Sequence, residues 1–130
     1  MNRHPLEPLI EKADLAINRE DFDTLIELYS DDAVLVVKPG MNATGKAQIR
    51  KAFEAIAAYF NHKLEVRQAE MRILESGDTA LVLAKTIVST PGQPLVNRDA
   101  TYVFKKEASG NWLCVIDNSY GHELFLHAEP

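Results

Sequence analysis

The sequence predicts an α+β fold in which helices come first and an antiparallel sheet follows. Three observations predict it. Apolar residues recur at helical spacing as far as Phe60, and at strand spacing from Leu64 onward. Strands grouped after helices, rather than alternating with them, are the mark of α+β architecture. Within one extended segment the apolar positions also switch parity, from Leu64 and Val66 to Met71 and Ile73. A one-residue switch is what a β-bulge produces, so the sheet is expected to bend near Ala69-Glu70.

Pro5 suits a first helical turn, where its missing N–H costs nothing. Leu6, Leu9, Ile10, Ala13 and Ile17 then mark one buried helix face. Asp21 is a favourable N-cap for a short second helix carrying Phe22, Leu25, Ile26 and Tyr29. Residues 33–37 form a continuous apolar run, read as a buried strand that Pro39-Gly40 ends. A third helix begins near Gly45 and presents Ile49, Ala52, Phe53, Ile56 and Phe60. After the bent strand, Gly77-Asp78 reads as a turn, residues 79–90 as a strand and Pro91-Gly92-Gln93-Pro94 as a loop. Residues 96–106 and 112–120 complete the sheet, joined by a turn at Ser109-Gly110-Asn111.

Composition narrows the functional classes. The 130 residues fit one domain spanning 1–130, with 46% hydrophobic and 25% charged residues, an ordinary globular balance. A net charge of −5 repels phosphate backbones, so nucleic acid is not an expected partner. The doublet Lys105-Lys106 lies beside a turn and reads as solvated surface. One cysteine, Cys114, excludes an intramolecular disulfide. No apolar stretch reaches the roughly 20 residues of a membrane span. No basic-then-apolar leader opens the chain, and the expected location is cytoplasmic.

The late strands are apolar on both faces. Leu81, Leu83 and Ile87 occupy one parity of their strand, and Val82, Ala84 and Val88 the other. The last strand repeats this with Leu113 and Val115 against Trp112, Cys114 and Ile116. A sheet wet on one side should alternate apolar and polar residues. Three helices can cover one face only, so the expected partner for the outer face is a second copy of the chain, giving a homodimer.

Several short segments resemble recurrent motifs of the nuclear transport factor 2-like (NTF2-like) superfamily. Ala16-Ile17-Asn18-Arg19-Glu20-Asp21-Phe22-Asp23 is similar to its corner between helices, and Tyr29-Ser30-Asp31-Asp32-Ala33 to the lead into its first strand. Gly45-Lys46-Ala47-Gln48-Ile49-Arg50 resembles its third-helix start, and Gly110-Asn111-Trp112 its final hairpin. The resemblance spans about residues 5–121 and is nearest the SnoaL-like proteins. It implies a cone: a bent, cystatin-like sheet wrapped around the three helices, with a pocket inside and dimers through the sheet.

The superfamily hosts isomerases, cyclases, dehydratases and association modules, so the fold alone does not choose among them. Steroid-isomerase chemistry needs a carboxylate base, a tyrosine and a protonated aspartic acid. By the resemblance these fall at Val37 or Lys38, near Ala13 and near Ala100, none of which can serve. A dehydratase-type His-Asp pair is not evident among His4, His62, His122 and His127. His122 and His127 are not spaced as a zinc helix requires, so neither a metal nor another cofactor is expected.

The superfamily's strand parity implies that Lys85, Arg98, Ala100, Tyr102, Val115, Asp117 and Ser119 point into the cone. Lys85, Arg98, Tyr102, Asp117 and Ser119 are then the expected ligand-binding residues. Lys85 and Arg98 would supply positive charge, Tyr102 a hydroxyl donor, and Asp117 a base or orienting acceptor. The expected ligand is a small organic molecule, anionic or carbonyl-bearing. Two other readings stand beside this one: a structural ion-pair network among the same residues, or a reversed parity that places them at a dimer rim. Under the implied parity Cys114, Asn118 and Tyr120 take the opposite face, and Tyr29 and Trp112 read as core or interface. The function expected is therefore a small-molecule enzyme or binding protein of the SnoaL-like kind, of isomerase, cyclase or hydrolase type. The alternative is a homodimerisation module with a vestigial cavity.

Overall fold

The computed structural model describes residues 3–126. Helix α1 (Leu6–Arg19) turns Leu6, Ile10 and Ala16 into the core. It ends at Glu20 in the left-handed region, φ 57°, with the Glu20 N–H donating back to the carbonyls of the last turn. Asp21 then caps α2 (Phe22–Glu27), its carboxylate accepting the Thr24 N–H at 3.3 Å. Strand β1 (Tyr29–Lys38) turns at Pro39-Gly40 into a short β2 (Met41–Thr44) that the sequence pattern did not reveal. Only Ala43 of β2 is buried, so it carries no readable period. Helix α3 (Lys46–Tyr59) follows from Gly45 and buries Ile49, Phe53 and Ala57.

Four strands complete the sheet: β3 (Glu65–Ser76), β4 (Thr79–Ser89), β5 (Val96–Lys106) and β6 (Trp112–Asn118). A short 3-10 helix (Gly121–Leu126) follows them. The sheet order is β2-β1-β6-β5-β4-β3. All pairs are antiparallel except β1 and β6, which run parallel. That pairing joins the first strand to the last, a long-range contact that local patterning does not encode.

The bend expected near Ala69 is a register shift in β3, where Gln68 pairs with Thr86 and Glu70 with Lys85. Met71 and Ile73 thereby join Val66 and Gln68 on the concave side. A second bulge lies in β6, where Val103 pairs with Ile116 but Phe104 with Cys114, leaving Val115 over. It re-aims the strand, so Cys114 and Asp117 both face inward although their spacing is odd.

The core sits between α1, α3 and the concave face, with Leu6, Leu25, Ile49 and Val82 fully buried. On the outer face Leu74, Leu83 and Ile116 stand 63%, 48% and 43% exposed. Among the described residues no helix is long and apolar enough to cross a membrane.

Candidate functional site

Between the helices and the concave face of the sheet lies a cavity of about 180 Å³. Its walls are apolar, from Ile17 on α1, Leu35 on β1, Phe53 and Ile56 on α3, and Val88 on β4. A smaller recess of about 60 Å³ adjoins it, with Ala13, Tyr29 and Cys114 in its lining. Asp14, Tyr102 and Asp117 border both spaces. Larger grooves lie on the outer face among exposed charged groups such as Lys85 and Asp99. The buried polar groups converge on the cone instead, and the site is placed there.

Asp117 is brought inward by the β6 bulge, and Tyr29 at the start of β1 donates its hydroxyl to Asp117 Oδ2 at 2.6 Å. Burial pushes the Asp117 carboxyl up to about 6, and the tyrosine bond holds it back from rising further. Asp14 sits on the inward side of α1 and accepts from Gln68 Nε2 at 3.1 and 3.3 Å. Burial pushes it up to about 7, the Gln68 bonds oppose the rise, and the Asp117 charge adds to it. Two carboxyls in one apolar cavity thus hold their protons to different degrees near neutral pH.

A hydrogen-bond chain continues from Gln68. Thr86 Oγ1 donates to Gln68 Oε1 at 2.8 Å, and the Tyr102 hydroxyl lies 3.1 Å from Thr86 Oγ1. Burial pushes Tyr29 and Tyr102 above the ordinary phenol range and raises the Cys114 thiol as well. All three are therefore neutral groups at physiological pH, and Cys114 is not a thiolate nucleophile.

The structure separates the five residues singled out in the sequence. Tyr102, Asp117 and Ser119 border the cavity, and Arg98 does so from β5. The Arg98 guanidinium lies 4.2 Å from the ring centre of Tyr120 and 3.5 Å from Glu123. Lys85 does not share the cavity: its ammonium is on the outer face, 2.7 Å from exposed Asp99. In β4 the inward parity belongs to Ala80, Val82, Ala84 and Thr86. Because both parities of that strand are apolar, burial preference alone did not choose between them. The positive charge expected from Lys85 is therefore missing from the cone, where Asp14 and Asp117 outnumber Arg98. Val115 also lies outside, beside Leu113 and Ile116, because the bulge turns it over. Cys114 is buried in the core and Tyr120 borders the cavity, both opposite to expectation. Asn118 closes the following turn, its amide donating to the Gly121 carbonyl at 3.2 Å.

The sequence reading leaves out Asp14, Gln68 and Thr86, and it takes Tyr29 as core or interface rather than site. Tyr29 is core, 4% exposed, yet its hydroxyl belongs to the site. Asp14 did leave a signal: it interrupts the stripe of Ile10, Ala13 and Ile17 on α1. It also adjoins Ala13, the position to which the family resemblance assigned a catalytic tyrosine. No such signal marks Gln68 or Thr86, because polar residues on a strand are ordinary.

Residues 7–115 match the sequence pattern of the SnoaL-like domain. Among curated proteins none matches this sequence. Among solved structures, an NTF2-like protein of unknown function from Pseudomonas putida superposes with a TM-score of 0.76 at 19% identity, covering 86% of this chain and 80% of that one. A candidate dehydratase of the NTF2-like family from Streptomyces avermitilis reaches 0.66 at 25% identity, over 85% and 88% of the two chains. A candidate calcium/calmodulin-dependent protein kinase II association domain from Xanthomonas campestris reaches 0.71 at 18%, over 87% and 82%.

Proposed function

The chain belongs to the SnoaL-like domain family, and on that premise we propose that it binds a small neutral carbonyl compound in its cone and moves a proton on it. The observation that carries the reading is the pair Asp14 and Asp117, two carboxyls in one apolar cavity with pKa values near 7 and 6. At neutral pH Asp117 is mostly ionised and suited to take a proton from carbon beside a carbonyl. Asp14 keeps its proton longer and suits the complementary role of acid. Arg98 carries donors that can meet a carbonyl oxygen as it gains negative charge. A cavity holding two acids disfavours an anionic ligand, so the carbonyl-bearing half of the sequence expectation is kept. The NTF2-like candidate dehydratase from Streptomyces avermitilis supports an enzyme over an inert cavity.

The test needs no knowledge of the natural substrate. Acetophenone in deuterated buffer exchanges its methyl protons slowly, and proton NMR follows the loss of signal. The protein should accelerate exchange, with a bell-shaped pH profile. Its rising limb lies near 6, where Asp117 ionises, and its falling limb near 7, where Asp14 loses its proton. Asp117→Asn should lower the rate about 100-fold or more. Exchange at the wild-type rate in Asp117→Asn sinks the reading.

A second role is favoured by one observation. The exposed apolar side chains Leu74, Leu83 and Ile116 share the outer sheet face, and we infer that two copies of the chain meet there. The resemblance to a candidate association domain supports that pairing. It does not compete with the cone: Phe53, Ile56 and Phe60 border the cavity rather than fill it.

A further inference from the structure

The hydrogen-bond chain beside the cavity has a direction. A carboxylate only accepts, so an ionised Asp14 must face the amide nitrogen of Gln68, as it does at 3.1 and 3.3 Å from its two oxygens. That leaves Gln68 Oε1, which also only accepts, for Thr86, so the Thr86 hydroxyl proton is committed to it at 2.8 Å. Thr86 Oγ1 then meets Tyr102, 3.1 Å away, through a lone pair, and the Tyr102 hydroxyl must be the donor. Each link follows from the one before it. With Asp14 ionised, Tyr102 therefore spends its single proton on the protein wall and keeps only lone pairs for the cavity it borders.

We infer that Tyr102 recognises a ligand hydroxyl by accepting its proton, and that the compound bound in the cone is a hydroxylated carbonyl compound. This reverses the donor role that the sequence had suggested for Tyr102. It rests on the reading that the cone binds a small carbonyl compound, and it adds the second functional group. Asp117 reinforces it. Tyr29 donates to one oxygen of that carboxylate, so when ionised it too offers only acceptor sites to a ligand. Arg98 is the cavity's charged donor and suits the carbonyl end. The two ends of the ligand are thus distinguished by hydrogen-bond polarity, and a molecule with acceptors at both ends would leave Tyr102 facing a lone pair.

Calorimetric binding of two matched, non-ionising probes tests the polarity: 4-(hydroxymethyl)acetophenone, and its methyl ether, which can only accept. Measurement at pH 8.5 keeps Asp14 ionised, since its pKa is about 7. The wild type should favour the alcohol about tenfold. Thr86→Val keeps the shape of the wall and removes the acceptor of the Tyr102 proton. That proton becomes free to meet the ether, so the preference should vanish or invert while the melting temperature shows the fold intact. Tyr102→Phe should also weaken it. Equal binding of both probes by the wild type overturns the inference and leaves the carbonyl-binding reading standing. So does a preference that persists in Thr86→Val, since it would reflect the bulk of the ether. Failure of both probes and of acetophenone to bind overturns the carbonyl-binding reading and this inference with it.

Discussion

Asp14 shows how one side chain can oppose stability while serving a site. Its folded-state pKa of about 7 lies well above the roughly 3.9 of an unfolded aspartate. Between those values the folded chain holds a proton that the unfolded chain has released, so stability falls as pH rises through that window. At pH 4 the cost is small, and at pH 8 it is complete. Asp14→Asn keeps an acceptor for Gln68 and removes the charge. It should therefore stabilise the protein by about 2 kcal/mol at pH 8, a figure reduced from the full linkage value because the side chain is still partly exposed to screening water, and by only a small fraction of that at pH 4. Chemical denaturation at the two pH values measures the difference. Equal effects at both would show that burial does not set the proton affinity of Asp14.

At the scale of elements, what matters is how strands are bent and ended. The bulge at Val115 carries Cys114 into the core and Asp117 into the cavity from one short strand. Gly121 ends the same region. It adopts φ +55°, and a Cβ there would stand 2.5 Å from the Asp99 carbonyl oxygen. The 3-10 helix that follows therefore lies against β5 only because this position has no side chain. It brings Glu123 to Arg98 at the cavity's rim. Gly121→Ala should cost about 1–2 kcal/mol and lift that segment away. Hydrogen exchange should quicken across residues 121–126 while β4 and β5 keep their protection. Unchanged protection there would mean that the close approach to Asp99 does not hold the segment.

The whole molecule presents two faces with different requirements. The concave face is closed by helices around a cavity, while the convex face leaves Leu74, Leu83 and Ile116 in water. Sheet-to-sheet pairing of two copies should give a solution mass twice the 14.5 kDa of one chain. Ile116→Asp should yield monomers that still melt cooperatively, because Ile116 is 43% exposed within the protomer and its removal leaves no core void. Light scattering at micromolar concentration decides it, and a wild-type mass of one chain would remove the proposed interface.

The sequence by itself determined the three α-helices, every strand except β2, and the place of the bend. Each depends on neighbours in the chain: the Leu6-Ile10-Ile17 stripe, the Asp21 cap, and the parity switch across Ala69. It also placed Asp117 and Tyr102 among the site candidates. Only the tertiary structure decided the face of Lys85, because β4 is apolar on both sides and alternation then carries no sign. Likewise the bulge in β6 is defined by register against β5, so the fates of Cys114 and Val115 could not be read from β6 alone. Tyr29 and Gln68 stand 88 and 54 residues from their partners Asp117 and Asp14. Their meeting depends on the parallel β1–β6 pair and on α1 crossing β3, contacts between distant parts of the chain that no local pattern encodes.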